Sequence, residues 1–400
     1  MAASPFLSLT GAVAASGADS GIASHYGNPL VEQRMLAAGP DAAGRAVRAV
    51  VDLSNRGVIS VSGPDRLTWL DSVTSQSIRA LAAGESAETL LLGANGRIEH
   101  AIRVLDDGET AWLLVDADET APLATWLASM RFTLRVEIAD RTEEFATIGW
   151  LASSADASAP AALLDVAASG NGVTLTWADP WPEVVAGGVQ YAEVTDHPGA
   201  DWWWRETLVP RESLPALADA VTSGELAVAG LLAAEALRIA AWRPRLSTEV
   251  DERSIPHELD WLRSAVHLSK GCYRGQETVA KVHNLGHPPR RLVFLHLDGS
   301  EAVLPAAGDE VFAGVPGDIR SAQSGTPADA VGHVTSVGIH HEWGPIALAV
   351  VKRQVDPDAP LVVRTADGDV AATAESIVSP EAGAAVGRVP RLPRLGARTR

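Results

Sequence analysis

The stretch Lys-Gly-Cys-Tyr-Arg-Gly-Gln-Glu at 270–277 holds the only cysteine of a 400-residue chain, Cys272. Two cations, Lys270 and Arg274, flank it, and positive charge beside a thiol favours the thiolate, the form that attacks carbon or binds metal and sulfur. Gly271 and Gly275 bracket the same residues, which suits a tight turn approached closely by backbone or ligand. The competing reading is a buried structural cysteine, the common fate of a lone thiol; two cations and a glycine turn are wasted on one. Cys272, His283 and His287 have the residue types of a zinc site. No CxxC accompanies them and two prolines follow His287, so no metal is expected.

The loop around the cysteine, from 243 to 293, is the chemically densest part of the chain. It carries Arg243, Arg245, Arg253, His257, Glu258, Asp260, Gln276 and Glu277, with Pro244 and Pro256 fixing its path. Loops held on a rigid scaffold are where function concentrates. The segment before it, 225–241, reads as one helix: at about 100° per residue Val228, Leu231, Leu232 and Ile239 share a face, with Glu235 in its middle. Arg238, three residues on, can pair with Glu235, either inside a buried seam or toward a ligand.

The elements that position these residues are legible from periodicity. Residues 56–61 alternate like a strand, and Pro64 and Asp65 then open a helix. ETLLLG and RIEHAIRVL flank Ala94-Asn95-Gly96, a hairpin signal. WLLVDA reads as a strand, ETAPLATWLASM as a helix and FTLRVEIA as a strand. The order strand, helix, three strands, helix, strand is an α+β sandwich with helices on one face of an antiparallel sheet. A looser set of similar elements fills 145–224, and 286–382 turns to short strands with turn signals, a small β-barrel.

Composition bounds the rest. With 46% hydrophobic and 20% charged residues, the chain is a globular protein able to bury two or three cores. One cysteine excludes a disulfide framework or a thiolate-only cluster and fits a reduced, cytoplasmic setting. The net charge of −18 repels phosphate backbones, so no direct nucleic-acid binding is expected. No run approaches the roughly 20 apolar residues of a membrane helix. Residues 1–44 read as a flexible arm and 383–400, rich in Pro and Arg, as a disordered tail.

KGCYRGQETVAKVHNLGHPPRRL resembles the signature of the YgfZ family of folate-binding proteins, relatives of the aminomethyltransferase of the glycine cleavage system. The resemblance extends over DLSNRGVISVSGPDRLTWLDSVTSQ, LLGANGRIEHAIRVL, EALRIAAWRPRL, IPHELD and GHVTSVGIHHEWGPIALAVVKR, about 45 to 380. It implies a three-domain ring: two ferredoxin-like α/β sandwich domains, of which 45–144 with 225–285 binds folate, and the terminal barrel. The implied cofactor is tetrahydrofolate or a derivative, its pterin inside the central hole and its acidic tail at the rim. Glu258 is then the candidate for the pterin, Arg243, Arg245 and Arg253 for the tail, with His257, Glu99 and Gln276 completing the cofactor set and Cys272 and Lys270 as catalytic residues. The implied function is support of iron-sulfur client enzymes, and through them of iron-sulfur-dependent tRNA modification, by a monomer. Aminomethyl transfer is the alternative. Against it, Glu99 and His100 stand where aminomethyltransferases carry paired aspartates, and a displacement near 1 Å costs about a hundredfold. Ala240 and Trp242 likewise replace the acid and the glycine of the family pattern.

Overall fold

The computed structural model describes residues 3–37, 48–300, 302–315 and 329–386. Three cores follow the chain. In the first unit five antiparallel strands lie in the order Ser86–Leu92, Ile98–Asp106, Thr110–Val115, Gly57–Ser62, Glu137–Asp140. Side chains of a strand alternate between faces, and both faces here are apolar. Ile59, Val61, Ala111, Leu113 and Val115 pack under the helices Arg66–Val73 and Thr120–Met130 through Trp69, Leu70, Leu123 and Leu127. Val58, Trp112 and Leu114 turn the other way and meet Leu208 of the next sheet. The helix-on-one-face sandwich expected from the sequence is present, and its open face is covered by the second unit.

That second sheet runs Thr176–Ala178, Trp204–Pro210, Phe145–Leu151, Ala49–Asp52, Ala227–Ala229, with only the last pairing parallel. It differs from the expected division in two places. The strand Ala49–Asp52, assigned from sequence to the first domain, belongs here. The helix expected over 225–241 is a strand, Ala227–Ala229, followed by the helix Leu231–Ala240. Gly230 makes the break: it lies so close to the chain that a Cβ would stand 2.3 Å from the carbonyl oxygen of Ser24. Leu232, counted on the apolar face, is 46% exposed.

The third unit is a closed barrel of six strands, Arg290–Leu297, Gly344–Lys352, Gly332–His340, Glu310–Ala313, Leu361–Arg364 and Asp369–Ser376. Val293, Leu295, Val334 and Val351 fill its inside. Leu292, Phe294, Ile346 and Leu348 face out and join the core shared with both sheets.

Residues 3–37 are not a free arm. Phe6 and Ile22 are fully buried, and the carboxylate of Glu32 accepts from the Tyr26 and Gly230 amides at 2.9 and 2.8 Å. Gln33 donates to the Ile339 carbonyl at 2.8 Å and accepts from the His341 amide at 2.9 Å. The segment thus ties the second sheet to the barrel, and a buried Glu-Gln pair in a surface-like sequence is the signal that composition overlooked. Of the expected disordered tail, residues 387–400 lie outside the described ones. Among the described residues no helix is long and apolar enough to cross a membrane.

Candidate functional site

The two sheets and the helix Leu231–Ala240 converge on a cavity with about 630 Å³ of empty space, counting its mouth. Strand alternation sends Ala101 and Arg103 into it from one sheet and Trp204 and Glu206 from the other. The helix contributes Glu235 and Arg238, one turn apart, and the segment after it contributes Arg243, Pro244 and Arg245. Trp202 and Trp261 complete an aromatic wall.

The lining is a paired charge network. Arg243 donates to Asp179 at 3.0 Å and to Glu88 at 2.6 Å. Arg245 reaches Asp116 at 3.0 Å and Asp19, of the N-terminal segment, at 2.7 Å. Arg238 binds Glu235 at 2.8 Å and the fully buried Glu249 at 3.0 Å, and Glu249 continues to Thr335 of the barrel at 3.0 Å. Arg56 pairs with Glu206, which Arg103 approaches at 3.6 Å. Burial alone would push Asp116 up, but the guanidiniums of Arg245, Arg103 and Arg56 outweigh it and hold the carboxyl well below the usual range. The same contest leaves Glu206 and Glu235 lowered. These acids are carboxylates at neutral pH and hydrogen-bond as acceptors only.

Four side-chain atoms of the lining residues are shut off from solvent and have no hydrogen-bond partner among the described residues: Asp116 Oδ1, Glu206 Oε2, Arg243 Nη1 and Trp261 Nε1. Buried polar groups are nearly always satisfied, so the lining residues hold two acceptors and two donors still open to a bond.

The residues expected to form the site divide into those the cavity collects and those it does not. Arg243 and Arg245 line it, as does the pair Glu235–Arg238. Glu258 does not: it is 1% exposed and grips Arg290 at 2.8 and 3.1 Å. His257, equally buried, bonds through Nε2 to the Val279 carbonyl oxygen at 3.0 Å, and burial lowers its pKa to about 4. Arg253 faces solvent with Glu252 at 3.9 Å. Glu99 lies outside the cavity, paired with Arg274 at 2.7 Å. Its neighbour His100 turns the other way to Glu119, a lining residue, at 2.7 Å.

The cysteine loop is built separately. Cys272 is exposed, and no residue from 270 to 277 lines the cavity. Lys270 does not stand beside the thiol as a free cation. Its side chain is 4% exposed, and the ammonium donates to the backbone carbonyls of Asp71, Thr74 and Gln76, with the Asp71 carboxylate at 3.5 Å. Gln276 closes the turn by donating to the Lys270 carbonyl at 3.3 Å. Gly275, at φ 84°, caps the helix Gln276–Leu285; a Cβ there would stand 2.6 Å from the Gly93 carbonyl oxygen. The loop is thereby pinned to the hairpin 93–97.

Asp116, Glu206, Glu88 and Arg103 were not singled out from the sequence. Asp116 ends the apolar run WLLVDA and Glu88 interrupts SAETLLL, a signal that would have found those two; Glu206 in WRETLVP and Arg103 in RIEHAIRVL stand among other polar residues and carry no such mark.

No protein-family model matches the chain. It is 25% identical over 266 residues to a Cryptococcus neoformans protein named iron-sulfur cluster assembly factor IBA57 homolog, mitochondrial, covering 63% of this chain and 67% of that one. It is 28% identical over 270 residues to an aminomethyltransferase of Symbiobacterium thermophilum, covering 63% and 69%. Its fold matches the crystal structure of the glycine cleavage system aminomethyltransferase T of Bartonella henselae with a TM-score of 0.67 at 18% identity, over 92% of this chain and 94% of that one. With its two sheets and closed barrel in the aminomethyltransferase arrangement, the chain has the aminomethyltransferase fold, and its sequence is similar both to aminomethyltransferases and to an iron-sulfur cluster assembly factor.

Proposed function

We propose that the protein binds tetrahydrofolate in the cavity between its two sheets and supports the assembly or repair of iron-sulfur enzymes in the cytoplasm, Cys272 acting at the surface. The observation that carries the ligand assignment is the set of unpartnered buried atoms. A reduced pterin presents N–H donors and a ring carbonyl along one flat edge; Asp116 Oδ1 and Glu206 Oε2 can accept from the former, Arg243 Nη1 and Trp261 Nε1 can donate to the latter. The donor and acceptor types present therefore fit the group's edge, although the cavity must widen to take the ring. When bound, a folate supplies a carrier for one-carbon units; the chain's own part is to orient the ring and exclude water. The iron-sulfur role rests on similarity to the assembly factor, and clusters are cargo of client enzymes.

The similarity to aminomethyltransferases favours a second reading, aminomethyl transfer. Glu99 and His100 weaken it, since Glu99 pairs with Arg274 outside the cavity and His100 is held by Glu119. One experiment separates the readings. Tetrahydrofolate titrated into the protein should quench tryptophan fluorescence through Trp202, Trp204 and Trp261, and no ammonia should be released from an aminomethyl-lipoyl donor. A deletion strain should lose activity of iron-sulfur enzymes and recover it with the gene. Ammonia release abolished by Glu99→Gln would establish the second reading instead; no quenching and no deletion phenotype would remove the first.

A further inference from the structure

Among the described residues, Arg245 is the cavity arginine held by the N-terminal segment. Asp19 comes from the N-terminal segment, and its carboxylate takes the Arg245 fork with both oxygens, Oδ1 on Nη2 at 2.7 Å and Oδ2 on Nη1 at 3.1 Å. The guanidinium is 6% exposed and Asp19 22%, so the aspartate approaches from the solvent side. The other two acids on Arg245 behave differently: Asp116 lies inside on Nε at 3.0 Å, and Glu235, at 3.8 Å, belongs primarily to Arg238.

The cavity is also narrow. Its enclosed volume is only about 50 Å³, too little for a bicyclic ring and its tail without displacing part of the lining. The arginine pairs with Glu88, Asp179, Glu206 and Glu249 are buried on both sides, and separating a buried pair leaves a charge uncompensated. The Asp19–Arg245 contact is partly exposed, as is Glu235–Arg238, but Glu235 is fixed on the central helix whereas the turn Gly17–Asp19 that carries Asp19 buries no residue. Asp19 does not itself line the cavity but holds a lining residue, Arg245, from the solvent side, and is the contact that yields at least cost.

We propose that Asp19 is an internal stand-in for a ligand carboxylate. In the free protein the N-terminal segment closes the mouth of the cavity by occupying Arg245; a flat heterocycle carrying a carboxylate tail takes over the fork and releases the segment. Carboxylate and guanidinium match two bonds to two, so the exchange conserves the ion pair. It sets specificity: a pterin without a tail must enter against an intact Asp19–Arg245 pair, and a tailed one replaces it. This inference rests on the cavity being the folate site.

The test compares tetrahydrofolate with a tail-free tetrahydropterin on the full chain. Asp19→Asn removes the internal competitor and should tighten tetrahydrofolate on the order of tenfold, the scale of one charge-assisted contact, with the tail-free ligand changed far less. Hydrogen exchange of residues 17–22 in the parent protein should accelerate on saturation with tetrahydrofolate and not with the tail-free compound, a readout that needs no variant to fold. An unchanged affinity ratio in Asp19→Asn, or unchanged exchange with tetrahydrofolate bound, overturns the proposal and leaves the folate site standing. If the parent binds neither ligand, the folate site falls and this inference with it.

Discussion

The ammonium of Lys270 lies 2.7 Å from the carbonyl oxygen of Gln76, inside a cage completed by the carbonyls of Thr74 and Asp71. A lysine that satisfies three carbonyls acts as a strap between the cysteine loop and the end of the helix Arg66–Val73, and burial lowers its own pKa. Lys270→Met leaves those carbonyls without their donor, which should cost roughly 2 to 3 kcal/mol of stability and speed amide exchange over 267–276. Alkylation of Cys272 at pH 7 should not slow. A variant as stable as the parent whose thiol reacts more slowly would restore Lys270 as an electrostatic activator.

Glu258 is expected to matter for folding and not for the ligand. Its partner Arg290 is also held by Asp251 at 2.6 and 3.0 Å, so Glu258→Ala strands a buried side of one guanidinium without freeing it. A loss of about 3 kcal/mol follows from breaking a buried pair, measurable by denaturant unfolding. Tetrahydrofolate affinity should stay within twofold in the folded variant. A tenfold weaker affinity with stability intact would return Glu258 to the ligand site.

These two residues show what the sequence could convey. The barrel, the first sheet and its hairpin were legible because alternation and Asn-Gly punctuation are local. The motif residues were legible as a cluster, but not their partners, because a partner is set by tertiary contact: Lys270 finds carbonyls some 195 positions away, at Asp71, Thr74 and Gln76. Trp242 illustrates the same limit. It stands where the family pattern has glycine and keeps a left-handed backbone at φ 59°, unfavourable for a bulky residue. Its indole is 2% exposed, against His197 and Phe294, so packing holds the strain.

Asp260 provides a pH test. Burial pushes its carboxyl up to about 7, although the Tyr191 amide and the Arg263 guanidinium work against the shift. The folded state then holds a proton that the unfolded state releases near pH 4, so stability falls as pH rises from about 4 through 7. His257 runs the other way: its folded pKa of about 4 lies below the ordinary 6.5 or so, and stability falls as pH drops through that interval. Comparing Asp260→Asn with the parent cancels the histidine. Asparagine suits the left-handed backbone at φ 55°, and the variant should gain on the parent by roughly 3 kcal/mol between pH 4 and 7.5. A stability difference flat across that range would show that Asp260 is ionised in the fold.

The final prediction concerns the thiol itself. Cys272 is exposed, yet the two cations that flank it in sequence are engaged elsewhere, Lys270 by backbone carbonyls and Arg274 by Glu99 at 2.7 Å and the face of Trp126 at 6.0 Å. Access is what the fold supplies, and a thiol that must meet a cluster or sulfur species on another protein needs access first. Native protein should therefore be alkylated at pH 7 without denaturant. Cys272→Ser replaces one atom at an exposed turn, so unfolding midpoint and tetrahydrofolate affinity should stay at parental values. Introduced into a deletion strain, it should fail to restore the activity of iron-sulfur enzymes that the parent gene restores. Full restoration by the serine variant, or a thiol that reacts only after unfolding, would leave Cys272 without the role assigned to it and would place the function in the cavity alone.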